Sequence, residues 1–237
     1  MSLLRAESLT ARHGLLPAVR EMALEIAEGE IVALVGANGA GKSTLLRTLA
    51  GAHPAAGGKI VFDGTDITAR PAHQRVALGL ALVPEGRRLF PGLTVDENLA
   101  VAARRARPGP WKPETVYEAF PALAGLRGQR ASGLSGGQQQ LTAIARALLT
   151  NPRLLLVDEV SLGLSPVAVD GVYESLTGLA DRPTLVLVEQ DLARALDVAD
   201  RVICLLEGRV ALEAATGSVT REQVTEAYFG LSRRKAA

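Results

Sequence analysis

The stretch Gly36-Ala37-Asn38-Gly39-Ala40-Gly41-Lys42-Ser43-Thr44 carries the pattern G-x-x-x-x-G-K-[ST]. An apolar run, Ile31–Val35, precedes it, and Leu45, Leu46 and Leu49 follow at helical spacing. That is the strand, loop and helix setting in which such a loop cradles phosphate. Glycines let the backbone curl around an anion with several N–H groups turned inward, Lys42 reaches the outer phosphates, and a helix starting near Lys42 presents its positive end. Ser43 is positioned to hold Mg²⁺ through its hydroxyl. The chemistry is the binding of a nucleoside triphosphate with its metal.

Two further elements bear on what happens to that triphosphate. Leu154-Leu155-Leu156-Val157-Asp158-Glu159 reads as a buried strand ending in two acids. Side chains alternate along a strand, so the acids take different roles: Asp158 meets the magnesium through a water, and Glu159 polarises the water that attacks the γ-phosphate. Alone, such a pair serves equally well at a helix N-terminus; the upstream phosphate loop gives it weight. Leu134-Ser135-Gly136-Gly137-Gln138 then leads into a helical run, 139–149. A serine and two glycines before a helix offer N–H groups and a hydroxyl to an anion, a second phosphate-binding device in one chain; the plain alternative is helix capping by Ser135.

These three elements, in this order, resemble those of the ATP-binding-cassette (ABC) ATPases, and the resemblance runs from about residue 3 to 230. It implies an ATPase that binds ATP and Mg²⁺ and works as a pair, each signature (Ser135, Gly136, Gly137, Gln138) closing on the ATP held by its partner. It also implies that His13 stands where an aromatic ring stacks on adenine, although a surface histidine is the alternative. Glu85, in Val83-Pro84-Glu85-Gly86-Arg87, replaces the glutamine that senses γ-phosphate and Mg²⁺; Gln190 replaces the switch histidine. A carboxylate suits Mg²⁺ as an amide does, while an amide donates to phosphate but never becomes cationic. Val160 and Ser165 replace the usual proline and aspartate.

Together with Glu226-Ala227-Tyr228-Phe229-Gly230, these departures resemble one ATPase subunit of the branched-chain amino-acid importers; Gln138-Gln139-Gln140 also resembles the urea and short-chain amide importers. The implied partners are a second ABC ATPase subunit, in a heterodimer or a homodimer, two membrane permease subunits and, indirectly, a substrate-binding protein. The location implied is the cytoplasmic face of the membrane. The segment Arg87-Arg88-Leu89-Phe90-Pro91, after Glu85, is the expected dock for a permease. A nucleic-acid or ribosome-directed ABC ATPase would carry two cassettes or a coiled-coil insertion, and a GTPase or small-molecule kinase leaves residues 134–138 unexplained.

Composition agrees with this reading. In 237 residues, 48% hydrophobic content supplies a sizeable core, and a net charge of +1 with 3% aromatics disfavours nucleic acid as a partner. Apolar runs are strand-length, short of the ~20 residues of a membrane span. The single cysteine, Cys204, lies in an apolar run and reads as a buried structural thiol, which fits a reducing setting. Strand-like and helix-like stretches alternate, which predicts an α/β fold of the P-loop NTPase type. Its parts are a mostly parallel sheet, an N-terminal antiparallel β-subdomain from runs 3–9 and 19–26, and an inserted helical subdomain. The expected division is a core of 1–93 and 151–230, helical signature subdomain 94–150 and tail 231–237.

Overall fold

A computed structural model of the chain describes residues 2–104 and 106–231; the terminal Arg233-Arg234-Lys235, expected to be a solvated end, lies outside them. In chain order the elements are β1 (Ser2–His13), β2 (Leu16–Ala27), β3 (Ile31–Val35), α1 (Lys42–Leu49), β4 (Gly57–Phe62), β5 (Thr65–Asp66), α2 (Ala72–Leu78) and β6 (Leu80–Val83). Next come α3 (Val95–Ala103), α4 (Pro113–Ala119), α5 (Pro121–Ala124), α6 (Gly136–Leu148), β7 (Leu154–Val157) and α7 (Pro166–Thr177). The chain closes with β8 (Thr184–Val188), α8 (Leu192–Val198), β9 (Arg201–Leu206), β10 (Arg209–Ala215) and α9 (Arg221–Tyr228). It forms two compact units, Met1–Arg75 with Thr184–Ala237, and Val76–Pro183.

In the first unit, β1 and β2 alternate buried and exposed residues, as in a sheet covered on one face. They belong to an antiparallel sheet of order β2-β1-β4-β5. Ser8 and Glu21, each with φ 47°, sit where the register slips, so both strands bulge and run longer than their apolar patterns suggest. Gly58 lets β4 cross the first bulge: a Cβ there would meet the Glu7 and Ser8 carbonyl oxygens at 2.5 Å.

This unit's other strands set β3 parallel to both β8 and β9, with β10 antiparallel to β9. β3 and β8 are buried throughout, so their sequences show unbroken apolar runs. Arg201 ties these strands to the antiparallel sheet. Its guanidinium donates to Glu30 Oε1 and Oε2 at 2.6 and 2.9 Å, to the Glu25 carbonyl of β2 at 2.6 Å, and to Glu213 of β10. Burial opposes the charge on Glu30, but hydrogen bonds from Arg201 and the Ala27 N–H prevail and hold the carboxyl below its ordinary pKa.

In the second unit, β6 and β7 run parallel, in register from Leu80 and Leu154 to Val83 and Val157. Helices α3 to α6 lie between them in sequence, with no strand among the described residues, so the inserted helical subdomain is present. α6 packs against α3, α7 and β6. Loops here are held by buried amides. Asn98 exchanges bonds with both the N–H and the carbonyl of Phe90, and Asn151 holds the Arg107 carbonyl and both backbone groups of Trp111. Among the described residues, no helix is long and apolar enough to cross a membrane.

The Arg201 hub gives a direct test. Glu30→Gln leaves a mostly buried guanidinium with only one of its two carboxylate partners, Glu213, and is expected to lower the unfolding free energy by roughly 1–3 kcal/mol at neutral pH. Because the folded-state pKa of Glu30 lies below the unfolded one, its contribution is complete above the unfolded value and lost as pH falls through the folded value. Denaturation midpoints of the two proteins should therefore differ at pH 7 and draw together only as pH falls below the ordinary glutamate range. Identical midpoints at pH 7 would contradict this account.

Candidate nucleotide-binding site

β3 delivers the chain into the glycine loop from its carboxyl end, the end of parallel strands where ligands are bound. Gly36, Gly39 and Gly41 have φ of 146°, 82° and 102°. At two of them space also demands glycine, since a Cβ would lie 2.4 Å from the Leu205 carbonyl oxygen at Gly36 and 2.2 Å from that of Ala18 at Gly41. The Ala40 N–H closes a turn on the Ala37 carbonyl, and the Gly208 N–H reaches the Ala40 carbonyl, both at 3.0 Å. The result is a backbone cradle pressed from outside, with Asn38 and Gly39 exposed at its crest.

α1 begins at Lys42, whose side chain is folded back over this cradle: Nζ donates to the Gly36 and Ala37 carbonyls at 2.6 and 3.0 Å, and the residue is buried. Ser43 and Thr44 follow, half-buried. A loop closed to side chains at Gly36 and Gly41, topped by a cation and the first turn of a helix, suits a phosphate group, and the Ser43 hydroxyl is a hard oxygen donor suited to Mg²⁺. Cys204, the register partner of Val35, is the buried thiol expected; burial pushes it up to about 11 against the pull of Lys42.

The structure brings His13 to this loop: its Nε2 lies 3.1 Å from Thr44 Oγ1. The ring also lies 4.8 Å from that of His53, tilted by 47°, making a pair that no sequence spacing announces. Gln190 follows β8, exposed, and its N–H donates to Oε2 of Glu189 at 3.1 Å. Glu189 is a buried acid that the motifs do not single out.

Glu85, Asp158, Glu159 and the signature residues lie in the second unit. β6 leads to Glu85 and β7 to Asp158, and the Asp158 N–H donates to the Val83 carbonyl at 2.9 Å, so the two segments leave neighbouring strands side by side. Asp158 is buried and Glu159 half-buried. β7 ends at Val157 and Glu159 has φ 54°, so a left-handed turn rather than strand alternation sets its direction, a departure from the strand-based expectation.

Ser135 caps α6, which starts at Gly136 rather than near residue 139. Ser135 Oγ accepts from the Gln138 N–H at 3.3 Å while Gln138 Oε1 accepts from the Ser135 N–H at 2.9 Å. The next residues are closely packed glycines: a Cβ at Gly137 would meet Ala168 Cβ at 2.9 Å, too close to be accommodated without a shift, and one at Gly136 would press on Leu164 Cδ2 at 3.1 Å. Ser165, in the place of an aspartate, keeps a capping oxygen and accepts from the Ala168 N–H. Within 87–91, Arg87 is hydrogen-bonded rather than free in solvent, while Phe90 is 47% exposed with the Arg146 guanidinium 5.8 Å from its ring centre. Beside Phe90 opens a groove of about 330 Å³ lined by Val83, Val101, Arg146 and Ala147.

Comparison with known proteins gives these elements a common origin. The family described as ABC transporter matches residues 19–161. The high-affinity branched-chain amino acid transport ATP-binding protein BraG of Pseudomonas aeruginosa is 40% identical over 96% of this chain and 100% of its own. The probable branched-chain amino acid transport ATP-binding protein LivF of Archaeoglobus fulgidus is 34% identical over 94% and 97%. Among solved structures, a nucleotide-free ATP-binding cassette from an ABC transporter superposes with a TM-score of 0.80 at 26% identity, over 96% of this chain and 95% of that one. With its glycine cradle, capped signature helix and full-length relatives, this chain belongs to the ABC transporter family of ATP-binding subunits, which bind ATP and hydrolyse it to power transport.

Proposed function

We propose that this chain is the ATP-hydrolysing subunit of an ABC importer for branched-chain or other hydrophobic amino acids. The observation that carries the cargo is the full-length likeness to BraG, joined with the residues Glu85, Gln190 and Ser165 that depart from the general family pattern. In this reading the 36–44 cradle holds the triphosphate, and Lys42 exchanges its carbonyl acceptors for the charged β- and γ-phosphate oxygens, which bind an ammonium more strongly. Ser43 and Glu85, with Asp158 through a water, would hold Mg²⁺, which would supply neutralisation of phosphate charge. Glu159 takes the proton of the attacking water, and Gln190 donates a hydrogen bond to the γ-phosphate. His13 offers its ring to the adenine.

Ser135–Gln138 would meet the ATP of a second ABC subunit. The capping bond favours this: Ser135 Oγ accepts from Gln138, so its own proton points elsewhere and can be given to a phosphate oxygen. Two permease subunits would receive the motion through the loop carrying Arg88, Leu89 and Phe90 and the groove beside it. A binding protein would supply the substrate, and attachment to the permease subunits would hold the chain at the cytoplasmic face of the membrane.

Three measurements test this. Lys42→Ala should weaken equilibrium binding of Mg·ATP by ~10²-fold or more, since the loop loses its only side-chain cation; unchanged affinity would refute the cradle. Glu159→Gln should bind ATP as tightly as the wild type yet hydrolyse it ~10²-fold or more slowly, an amide being unable to accept the proton; wild-type turnover would remove it as the base. Deleting the gene should abolish high-affinity uptake of labelled leucine. Loss of urea or acetamide uptake with leucine uptake intact would overturn the proposed cargo.

A further inference from the structure

Directly after Glu85 the backbone does something costly. Gly86, Arg87 and Arg88 have φ of 73°, 63° and 49°, three left-handed residues in succession, of which glycine excuses only the first. Side-chain-bearing residues hold that conformation where their surroundings over-determine it. Here the surroundings are identifiable. The Arg87 guanidinium donates through Nε to Gln140 Oε1 and through Nη1 to Gln139 Oε1, both at 3.3 Å, and through Nη2 to the Leu162 carbonyl at 3.1 Å. The Arg87 carbonyl accepts from Arg146 at 3.0 Å. On the far side, Asn98 pins the backbone at Phe90.

The three acceptors belong to two segments, the start of α6 and the loop after Glu159, while Arg87 itself belongs to a third, the loop after Glu85. Gln139 and Gln140 are in the first turn and a half of α6, and Gln139 passes the contact on by donating to the Ala131 and Leu134 carbonyls, the second adjoining Ser135. Leu162 lies just beyond Glu159. A planar guanidinium with five donors in fixed directions can serve all three at once, whereas an ammonium on a flexible stem cannot.

We propose that Arg87 is a positioning residue that locks the Glu85 loop, the start of the signature helix and the loop after Glu159 into one body. A shift at any of the three is then felt at the other two, so that closure of Ser135–Gln138 on a partner's nucleotide and alignment of Glu159 for hydrolysis occur together. This rests on the roles proposed above for Glu85, Glu159 and the signature.

The test uses the assembled, reconstituted transporter carrying wild-type chain, Glu159→Gln, Arg87→Ala, Arg87→Lys, Gln139→Ala and the Arg87→Ala/Gln139→Ala double variant. Expected for Arg87→Ala is a fall in kcat of about 10-fold or more, with KM for ATP within about 2-fold. Lysine does not rescue it. The loss in the double variant is smaller than the product of the two single losses, because the Arg87–Gln139 contact is shared between them. Hydrogen exchange should quicken together at 134–136 and 162–164 while the rest of α6 keeps its protection. Wild-type kcat in Arg87→Ala, rescue by lysine, or multiplicative losses in the double variant would each overturn the proposal. If Arg87→Ala does not assemble, Gln139→Ala and Gln140→Ala carry the same kcat and exchange readouts with Arg87 in place, and unchanged values refute it. If Glu159→Gln hydrolyses ATP as fast as wild type, the functional reading fails and takes this proposal with it. If Glu159→Gln behaves as expected and Arg87→Ala matches wild type, only the role of Arg87 falls.

Discussion

The first unit is organised around a shortage of space. To present backbone N–H groups to an anion, residues 36–41 must curl their main chain into a ring, and at its two ends that ring is closed in by other main chain: the carbonyl of Leu205 against Gly36 and that of Ala18 against Gly41. Neither contact leaves room for one carbon atom. Ala18 lies on β2 and Leu205 on β9, so the antiparallel sheet and the parallel strands must both be in place before the cradle has its shape. The Arg201 hub, spanning Glu25, Glu30 and Glu213, is the polar fastening that keeps them there. Stability and ligand recognition are in this respect one requirement, because the strands that bury the core also press the loop into form.

Much of this was legible in the sequence, for a physical reason. A phosphate cradle admits few residue types, so Gly36, Gly41 and Lys42 leave a trace that no packing detail can disguise. Unbroken apolar runs at β3, β7 and β8 likewise announce strands covered on both faces. What was not legible depends on tertiary partners. β10, Arg-Val-Ala-Leu-Glu-Ala-Ala, is composed largely of helix-favouring residues and buries none of them fully; it is a strand because Glu207 and Gly208, at φ 48° and 79°, turn the chain back along β9. His53 reaches His13 only through folding. The start of α6 at Gly136 also escaped a propensity argument, since two glycines are poor helix formers and only the Ser135 cap together with packing on the 162–168 segment sets them in a helix.

The second unit solves a different problem with different means. In the stretch of sequence that separates β6 from β7 no strand runs among the described residues, and buried amides fix the long connections there. Asn151, itself left-handed at φ 54°, holds the proline-rich stretch before α4 through its whole amide, and Gly109 is glycine because a Cβ would lie 2.4 Å from Asn151 Oδ1. Asn98 does the same for the loop after Glu85. Each amide has donors and an acceptor, so one residue can satisfy several backbone groups that would otherwise be buried without partners. Such tethers fix a loop at one point while leaving neighbours such as Phe90 at the surface.

The division of the first unit between the two ends of the chain bears on how the protein comes into being. Glu30 and Arg201 are 171 residues apart, and the strands that flank β3 are both made after the second unit is complete. A nascent chain that has emerged as far as Arg75 contains the entire phosphate motif and the Ala18 side of its cradle yet lacks the Leu205 side. The second unit, continuous in sequence, can close its own contacts while β3 waits with both edges unpaired. Long-range closure of this kind is slow. A chain released early would therefore display the motif without the β9 wall that presses on Gly36, and that wall arrives only with the last quarter of synthesis.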